Sequence, residues 1–401
     1  MCGDGDRKGN PMLKQHTSAE KKLRFAIDLT WVRHGIVGGT ESFVCNLMEG
    51  FQECLIKDPG KTEILMLASK DNYDVFRKYA SPRCIKILKC NVLSADQKKR
   101  LLWQNLKMGK MLKKLDVSLL LEPVYSKPFL GMDGICCVTV IHDLQAWLFP
   151  EYFSKKRVAW MKCCWRNSVR TSAKLVAISD YTKQSILERI PCPKDRICVI
   201  YNPIVMNNHV SEEGVLKQYG MKTKQYYYTV SSQVPHKNLG TLLRAMGILK
   251  KKHSPAMLPL ILSGVGNGVT GELQQILKEE MLEDDVIFTG FIADEVRNTL
   301  YRNSKAFLFP SIFEGFGMPP LEAMALQVPV LTTQCASFRE VTGGLVNYIK
   351  EPKDPEEWAE RLEQELKIPE ERDAEELLDR YDKCRIAAQY LVLMEQTAAE
   401  S

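Results

Sequence analysis

The sequence predicts an α/β protein with two Rossmann-like, doubly wound domains that face each other across a cleft. First, the chain has 401 residues, which is too long for one core. Second, short apolar runs alternate with helix-length segments, a pattern typical of parallel sheets covered on both faces. Third, the alternation restarts after a polar segment at 202–214 that contains proline and glycine, which we interpret as the linker.

Each series contributes its own strands and helices. In the first series the predicted strands are 23–29, 62–68, 117–123, 135–143, 174–179 and 196–203, and the predicted helices are 39–53, 97–115, 155–173 and 180–189. In the second series the predicted strands are 226–232, 258–264, 285–290, 305–311 and 328–333, and the predicted helices are 237–252, 270–281, 294–303 and 319–327. The predicted domains are a disordered lead-in at 1–22, an N-terminal domain at 23–205, a C-terminal domain at 206–380, and a last helix at 381–401 that packs back on the N-terminal domain.

Charge is distributed unevenly along the chain. Residues 1–200 contain 34 Lys+Arg and 20 Asp+Glu, whereas the whole chain contains 55 and 49. A basic first half favours an anionic partner such as an acidic membrane, a lipid phosphate or, less readily, nucleic acid, and two solvated domains of different charge explain it equally well. The 13 cysteines form no C-x-x-C pair, which indicates core thiols in a reducing cytosol. We find no apolar run of about 18 residues and no signal peptide at the start.

Ligands of open α/β sheets bind beyond the carboxyl ends of the strands, so the strand-to-helix loops are the candidate sites. The first such loop contains Gly38, Gly39 and Thr40 just before a helix, where free amides can bind an anion. A tight turn explains these glycines at least as well. In the loop 140–145, His142 and Asp143 end an apolar strand and are predicted to project into the cleft, although a structural histidine is equally plausible.

The third loop, SSQVPHKNLG, places Lys237 at a predicted helix start, where a lysine opposes the helix dipole unless an anion binds there. A solvated surface lysine is the alternative interpretation.

The fourth loop, SIFEGFGMPPLEAMA, is the most informative. Gly315 and Gly317 expose backbone amides, and the prolines that follow suit the first helical positions. We expect a phosphate-sized anion at this helix end, with Glu314 before the turn and Glu322 in the first helical turn. Because carboxylates accept hydrogen bonds from hydroxyls, the pattern indicates a nucleotide sugar, which has hydroxyls on both sides of a diphosphate. A helix with acidic residues near its start would explain Glu322 alone.

With these motifs, the chain resembles the family 4 retaining glycosyltransferases of the GT-B fold, from about residue 24 to residue 357. The resemblance rests on GGTES (38–42), VIHDLQ (140–145), AISDYTKQSI (177–186), VIYNPI (199–204), PHKNLGTLLRAM (235–246), FTGFI (288–292) and FPSIFEGFGMPPLEAMA (309–325). The last of these matches the family's E-x7-E signature. PEYFSKKR (150–157) is similar to members that build bacterial polysaccharides, which are often mannosyltransferases.

The resemblance implies a role for each matching residue. Glu314 would contact the hydroxyls of the donor sugar, and Lys237 would neutralise the leaving diphosphate. His142 would lie near the transferred sugar, and these three are the catalytic candidates. The donor-binding candidates are Gly39, Ser232, Lys237, Phe316, Gly317, Met318 and Glu322, of which Glu322 would bind the ribose. The acceptor-side candidates are Gly38, Thr40 and Asp143.

Three positions depart from the family pattern. Ser231, Ser232 and His236 surround Lys237 where many relatives carry a second cation, an arginine. Gln327 replaces a glycine that is common after the E-x7-E helix, and SFRE (337–340) replaces the usual Leu-Pro-Glu while keeping Glu340.

The resemblance therefore implies transfer of a hexosyl group, mannosyl in preference, from a nucleotide-diphosphate sugar, GDP-mannose in preference, to a saccharide or a lipid-linked saccharide. It implies no cofactor and no bound metal, and a cytoplasmic protein. The charge of the basic N-terminal domain indicates peripheral membrane contact through helices 97–115 and 155–170, although basic outer faces of ordinary sheet-covering helices explain these segments better. The alternatives are a sugar-phosphate synthase or phosphorylase on the same fold, and a catalytically silent nucleotide-sugar binder. Nucleic-acid binding is disfavoured because no aromatic platform is interleaved with the basic residues.

Overall fold

The computed structural model describes residues 22–35, 38–58, 60–205, 214–266 and 268–400. The predicted lead-in, apart from its last residue, and the centre of the predicted linker, 206–213, lie outside the described residues. The strands form two all-parallel sheets.

The first sheet has seven strands. They are β1 (Leu23–Asp28), β2 (Thr62–Ala68), β3 (Ile85–Lys89), β4 (Leu119–Glu122), β5 (Cys136–Ile141), β6 (Lys174–Ala177) and β7 (Ile197–Val199). Their order in the sheet is β3-β2-β1-β4-β5-β6-β7. The chain therefore reverses its direction of winding between β1 and β4, which opens a crevice at the carboxyl ends of those two strands.

The second sheet repeats this plan. Its strands are β8 (Tyr227–Val230), β9 (Leu260–Ser263), β10 (Val286–Gly290), β11 (Ala306–Phe309), β12 (Val330–Thr333) and β13 (Asn347–Ile349). Their order is β10-β9-β8-β11-β12-β13, so the reversal falls between β8 and β11. The predicted strands are all present, and β3 and β13 were not predicted.

Helices cover both sheets. In the N-terminal half these are α1 (Gly39–Lys57), α2 (Tyr73–Arg77), α3 (Gln97–Trp103), α4 (Gly109–Lys114), α5 (Gln145–Leu148), α6 (Lys155–Thr171) and α7 (Asp180–Arg189). In the C-terminal half they are α8 (Val215–Gln218), α9 (Leu239–Lys251), α10 (Glu272–Glu279), α11 (Asp294–Asn303), α12 (Met318–Ala325), α13 (Phe338–Val341), α14 (Pro355–Glu363), α15 (Glu371–Asp379) and α16 (Lys383–Ala399). A π-helical turn at Gln104–Met108 joins α3 and α4 into one helix. None of these helices is long and apolar enough to cross a bilayer.

The last helix, α16, packs on α1 of the N-terminal half. Lys383 forms ion pairs with Glu49 and Glu53 of α1. The Tyr390 ring contacts Phe43 and Phe51, with centroids 6.3 and 6.5 Å away. The chain passes between the two halves twice, near Ile204 and near Tyr381. The Ile204 amide donates a hydrogen bond of 2.8 Å to the Tyr381 carbonyl, so these two connecting segments lie side by side.

Candidate active site

An ion pair between Lys237 and Glu314 joins the loops that follow β8 and β11, the two strands at the reversal of the second sheet. The Ser311 hydroxyl donates to Glu314 Oε1 at 3.0 Å, and the Lys237 ammonium lies 5.4 Å from the centroid of the Phe309 ring. About one fifth of each charged side chain is exposed, so both are held in place and remain accessible to a ligand.

The position of Lys237 differs from the sequence prediction. Lys237 ends a 3-10 turn at Pro235–Lys237, two residues before α9 begins. Asn238 separates the turn from the helix because it adopts a left-handed conformation, with φ of 54°. The lysine is therefore held by its carboxylate partner rather than by the end of α9.

The two glycines of the fourth loop allow close packing. A Cβ on Gly315 would overlap with the carbonyl oxygen of His142, so this glycine brings the two halves of the molecule into contact. Gly317 has φ of 89°, and a Cβ there would lie 2.8 Å from the Phe338 ring. The Phe316 side chain is buried against Tyr201, so only its backbone can face a ligand.

Glu322 lies in the second turn of α12, not in the first turn as predicted, because the helix begins at Met318. The Tyr301 hydroxyl donates to Glu322 Oε2 at 3.1 Å, and Arg297 Nε lies 3.8 Å from the same oxygen. Burial acts to lower the pKa of Arg297, but the Glu322 carboxylate and other acidic neighbours raise it overall. Glu322 and Met318 line a cavity of about 380 Å³ whose opposite wall includes Glu41 of α1.

His142 and Asp143 follow β5 and face this region from the N-terminal half. His142 Nε2 lies 2.8 Å from the Pro123 carbonyl, and because a carbonyl only accepts, Nε2 carries the proton and Nδ1 is left as an acceptor. Burial lowers the pKa of His142 to about 4. Burial raises the pKa of Asp143, and Glu314 raises it further while Lys237 lowers it. Asp143 is thus electrostatically coupled to the ion pair.

The remaining predicted residues are distributed around this centre. Gly38 precedes α1 with φ of 61°, and a Cβ on Gly39 would lie 3.7 Å from the Met318 methyl group. The loop before α1 therefore lies against the start of α12, in the loop that contains Glu314. Ser232 is half-buried after β8, and no hydrogen bond among the described residues joins it to Lys237.

A second cavity, of about 500 Å³, lies in the N-terminal half and is lined by Thr40, His142 and Asp143. Its other walls are rich in aromatic and basic side chains, namely Trp31, Arg33, Arg100, Tyr125, Phe153, Arg157 and Trp160. Such walls can stack on sugar rings and pair with anionic groups.

Several contacts between the two halves were not predicted. Gln145 Nε2 donates to His236 Nδ1 at 2.6 Å, and Ser179 Oγ donates to the Gly315 carbonyl at 2.7 Å. The Glu340 carboxylate accepts from the amides of Asp180 and Tyr181 at 2.6 and 3.1 Å, so it caps α7 from the other half.

Arg297 and Tyr301 were also missed. Their spacing of four residues places them on one face of a predicted helix, and this is the pattern in the sequence that could have identified them as neighbours.

The chain matches two family models in succession. Residues 37–207 match the model for Glycosyltransferase Family 4, and residues 215–376 match the model for Glycosyl transferases group 1. The chain is 30% identical over 222 residues to O-antigen chain mannosyltransferase B of Escherichia coli, covering 54% of this chain and 58% of that protein. It is 26% identical over 230 residues to O-antigen chain mannosyltransferase RfbU of Salmonella typhimurium, covering 57% and 61%. The matches thus span about three fifths of the length of these curated relatives.

Solved structures share the fold. A sucrose-phosphate synthase from Thermosynechococcus elongatus superposes with a TM-score of 0.69 at 16% identity, covering 95% of this chain and all of that one. HepE from Anabaena, in complex with UDP-glucose, superposes with a TM-score of 0.63 at 17% identity, covering 94% and 98%. At these identities the likeness shows the fold alone.

Proposed function

Since the chain belongs to the GT-B glycosyltransferases that the group 1 and family 4 models describe, we propose that it transfers a hexosyl group from a nucleotide-diphosphate sugar to an acceptor hydroxyl, with retention of the anomeric configuration. The observation that carries this proposal is the Lys237–Glu314 ion pair, which the E-x7-E loop places at the reversal of the second sheet. The relatives named mannosyltransferases support a mannosyl group, with GDP-mannose as the favoured donor.

The donor would bind along the C-terminal half. Its diphosphate would replace part of the contact between Lys237 and Glu314, so that the ammonium neutralises the charge that gathers on the leaving group. Glu314 would then accept a hydrogen bond from a sugar hydroxyl. Glu322, oriented by Tyr301, would accept hydrogen bonds from the ribose.

The N-terminal half would supply the acceptor. His142 Nδ1 is free to accept a hydrogen bond from a hydroxyl near the transferred sugar, and its low pKa keeps the ring neutral at physiological pH. The cavity of about 500 Å³ beside it has room for a saccharide. Contacts between the halves at Gly315 and at Gln145–His236 would exclude water during transfer.

The favoured acceptor is a saccharide or lipid-linked saccharide in polysaccharide or glycolipid synthesis, used by an enzyme at the cytoplasmic face of a membrane. The mannosyltransferase relatives that act on O-antigen chains support this choice. The second candidate is a sugar-phosphate synthase, because three arginines line the acceptor cavity and could pair with a soluble phosphate. Product analysis with a lipid-linked acceptor and with free hexose phosphates separates the two.

The test is a donor-binding and transfer panel with GDP-mannose, UDP-glucose and UDP-GlcNAc. A donor at about 100 times its dissociation constant adds about 2.7 kcal/mol to the free energy of unfolding, which raises the melting temperature measurably. We expect one donor to stabilise the wild type and not Lys237→Ala.

Lys250→Ala is the matched control, because Lys250 also pairs with a carboxylate, Asp285 at 2.6 Å, and lies outside the site. Equal stabilisation of Lys237→Ala and the wild type would contradict the proposed role of Lys237. If no donor binds and no sugar is transferred, the proposed reaction is wrong.

A further inference from the structure

We propose that Cys54 and Cys384 form a reversible modification site, at which a low-molecular-weight disulfide such as glutathione disulfide oxidises the two thiols to an intramolecular disulfide. Cys54 lies in the last turn of α1, and Cys384 is the second residue of α16. They are 330 positions apart in the sequence, so they belong to no local motif. The disulfide would join the N-terminal half covalently to the segment that returns from the C-terminal half.

The helices α1 and α16 approach each other closely beside these thiols. A Cβ on Gly50 would overlap with the Lys383 carbonyl oxygen and would lie 2.9 Å from the Ala387 Cβ, so the two helix backbones are nearly in contact. Cys54 lies four residues after Gly50 and therefore on the same face of α1. The missing side chain at Gly50 thus brings Cys54 against the first turn of α16.

The side chains of the two cysteines meet at this contact. The Cys54 thiol donates to the Cys384 carbonyl at 3.4 Å. Burial raises the pKa of Cys54, and the neighbouring Cys384 thiol acts in the opposite direction as a hydrogen-bond partner. A disulfide requires Cα atoms about 4.4–6.8 Å apart, a separation that facing positions of two closely packed helices provide. We therefore expect the bond to form by rotation of the two side chains, without displacement of either helix.

The site is accessible to a small oxidant. Both thiols are half-buried, whereas Cys84, Cys137 and Cys164 are buried. The first protein thiolate attacks one sulfur of glutathione disulfide and releases one glutathione thiolate. The second attacks the protein sulfur of the mixed disulfide and releases another. Two protein thiols are thereby oxidised, one glutathione disulfide is reduced, and the two released thiolates take up the two protons.

Glu53 of α1 controls how fast this bond forms. The Cys384 thiol donates to Glu53 Oε2 at 3.1 Å, and Lys383 pairs with the other oxygen of the same carboxylate at 2.5 Å. Burial raises the pKa of Cys384 to about 12, with further contributions from Glu53 and Cys54. Because the thiolate is the attacking species, Cys384 is held in its unreactive form at neutral pH. The bond should therefore form slowly, in response to sustained oxidation.

The disulfide would act where the two segments that connect the halves come together. Asn46 of α1 donates a hydrogen bond of 2.9 Å to the carbonyl of Pro203, which precedes Ile204 in the first connecting segment. In the second, Cys384 follows Tyr381 by three residues. A covalent bond from α1 to α16 would therefore restrict relative motion of the halves. The expected loss of turnover rests on the proposed function, whereas the modification site does not.

The test is incubation of the full chain with glutathione disulfide, alkylation of the remaining thiols and mass spectrometry of unreduced peptides. We expect a peptide pair joined through Cys54 and Cys384. We also expect a Tm at least about 3 °C above that of Cys54→Ser treated in the same way, a difference that dithiothreitol removes. Cys45→Ser is the matched control and should behave as wild type, because Cys45 is a second half-buried cysteine of α1 whose thiol contacts Tyr79.

The rate of disulfide formation tests the role of Glu53. Glu53→Gln should form the bond at least about tenfold faster at pH 7.5, because the Cys384 thiol loses its carboxylate neighbour and ionises more readily. Glu49→Gln is the control, since Glu49 also pairs with Lys383 but lies one turn farther from Cys54 along α1. Equal rates in the two variants would show that Glu53 does not control the site.

Two outcomes would overturn the proposed site: no joined peptide pair in the wild type, or disulfides that link Cys54 and Cys384 only between separate chains. A joined pair without the difference in Tm, or with the same kcat as the reduced protein, would overturn the restriction of motion. The mapping and unfolding experiments contain neither donor nor acceptor, so their failure leaves the proposed transfer reaction untouched. Failure of sugar transfer would likewise not affect the mapped disulfide.

Discussion

The two halves of the molecule hold carboxyl groups near the reversals of their sheets in opposite ways. In the C-terminal half, Glu314 has an ammonium and a hydroxyl as partners, and Glu322 has a hydroxyl with a guanidinium nearby. In the N-terminal half, Glu122 is fully buried at the end of β4, and neither of its oxygens has a hydrogen-bond partner among the described residues. Its neighbour at the end of β1 is a second buried carboxyl, Asp28.

The comparison shows that the loop beyond β11 holds an ion-paired acid, whereas the end of the equivalent strand, β4, holds a buried acid without a partner among the described residues. Burial, with a further contribution from Asp28, raises the pKa of Glu122 well above its usual value, so the protonated form is favoured. Burial also raises the pKa of Asp28, which accepts hydrogen bonds from Thr30 and Gln104. The C-terminal half leaves its two carboxylates partly exposed, whereas the N-terminal half buries its pair in the core.

The sharpest test of this comparison is the same substitution in both halves. We expect Glu314→Gln to lower kcat about 100-fold to 1,000-fold, because it removes the charge opposite Lys237 and a strong acceptor for a sugar hydroxyl. Glu122→Gln replaces a buried carboxyl group, whose pKa burial raises, with a neutral group of the same shape and should leave kcat within about threefold of wild type. Steady-state transfer kinetics measure both values.

The pH dependence gives a second readout of Glu122. A raised folded-state pKa stabilises the fold at low pH, and this stabilisation is lost as the pH rises above the unfolded value of about 4.3. Glu122→Gln should therefore gain stability relative to the wild type as the pH rises above about 4.3 towards the raised folded-state pKa. A constant difference over that range would show that Glu122 is not held protonated.

The next largest effect concerns His142. Its pKa is lowered to about 4 by burial, so the unfolded chain binds a proton between about pH 6.5 and pH 4 and the folded chain does not. Stability is therefore present above pH 6.5 and decreases as the pH falls, by up to about 3 kcal/mol at 1.36 kcal/mol per pKa unit. Urea unfolding at pH 7.5, 6 and 5 measures this loss, which His142→Gln should reduce. An unchanged slope in that variant would assign the loss to other groups, for example His236, whose pKa burial also lowers to about 4.

Gly315→Ala tests the contact between the halves. The added methyl group would overlap with the His142 carbonyl, so we expect about 1–3 kcal/mol of destabilisation and a loss of activity. Thermal unfolding and transfer assays measure the two effects. Gly344→Ala is a useful control, because its added Cβ would meet no atom within 4 Å, although its φ of 75° carries a backbone cost of its own. If Gly315→Ala behaves no worse than this control, the close approach of the halves is not required.

The smallest expected effect is that of Tyr301→Phe. Loss of the hydrogen bond to Glu322 should cost about 1 kcal/mol, which corresponds to roughly a fivefold rise in KM for the donor with little change in kcat. Tyr227→Phe is the matched control, because that hydroxyl donates to the Ala256 carbonyl at 3.0 Å outside the site. A fall in kcat with constant KM would show that Glu322 acts on the transition state rather than on donor binding.

The sequence revealed most of the fold because buried parallel strands are continuous apolar runs. The strand β3 was not predicted because apolar residues alternate with lysines in its sequence, IKILK, at the edge of the sheet. The strand β13 was not predicted because it is only three residues long. The alternation of strand and helix was otherwise sufficient to predict two doubly wound sheets.

The site was only partly predictable, for a physical reason. The loop with Glu314 and Glu322 is local in sequence, so its glycines, prolines and spacing could be interpreted directly. The contact of Gly315 with His142 and the capping of α7 by Glu340 join residues more than 150 positions apart, and no local pattern encodes them. The exact start of α12, and hence the turn that holds Glu322, depends on the left-handed conformation of Gly317.

The side-by-side crossing of the chain near Ile204 and Tyr381 has a mechanical consequence. If the two segments that connect the halves lay far apart, they would resist rotation of one half against the other. Because these two segments are joined by a hydrogen bond, we expect them to act as a single pivot. With α16 packed on α1, we expect any opening of the cleft to be larger at its mouth than at its base. A substrate would then enter and leave from the side opposite the pivot, and the distance travelled by any residue would grow with its distance from Tyr381.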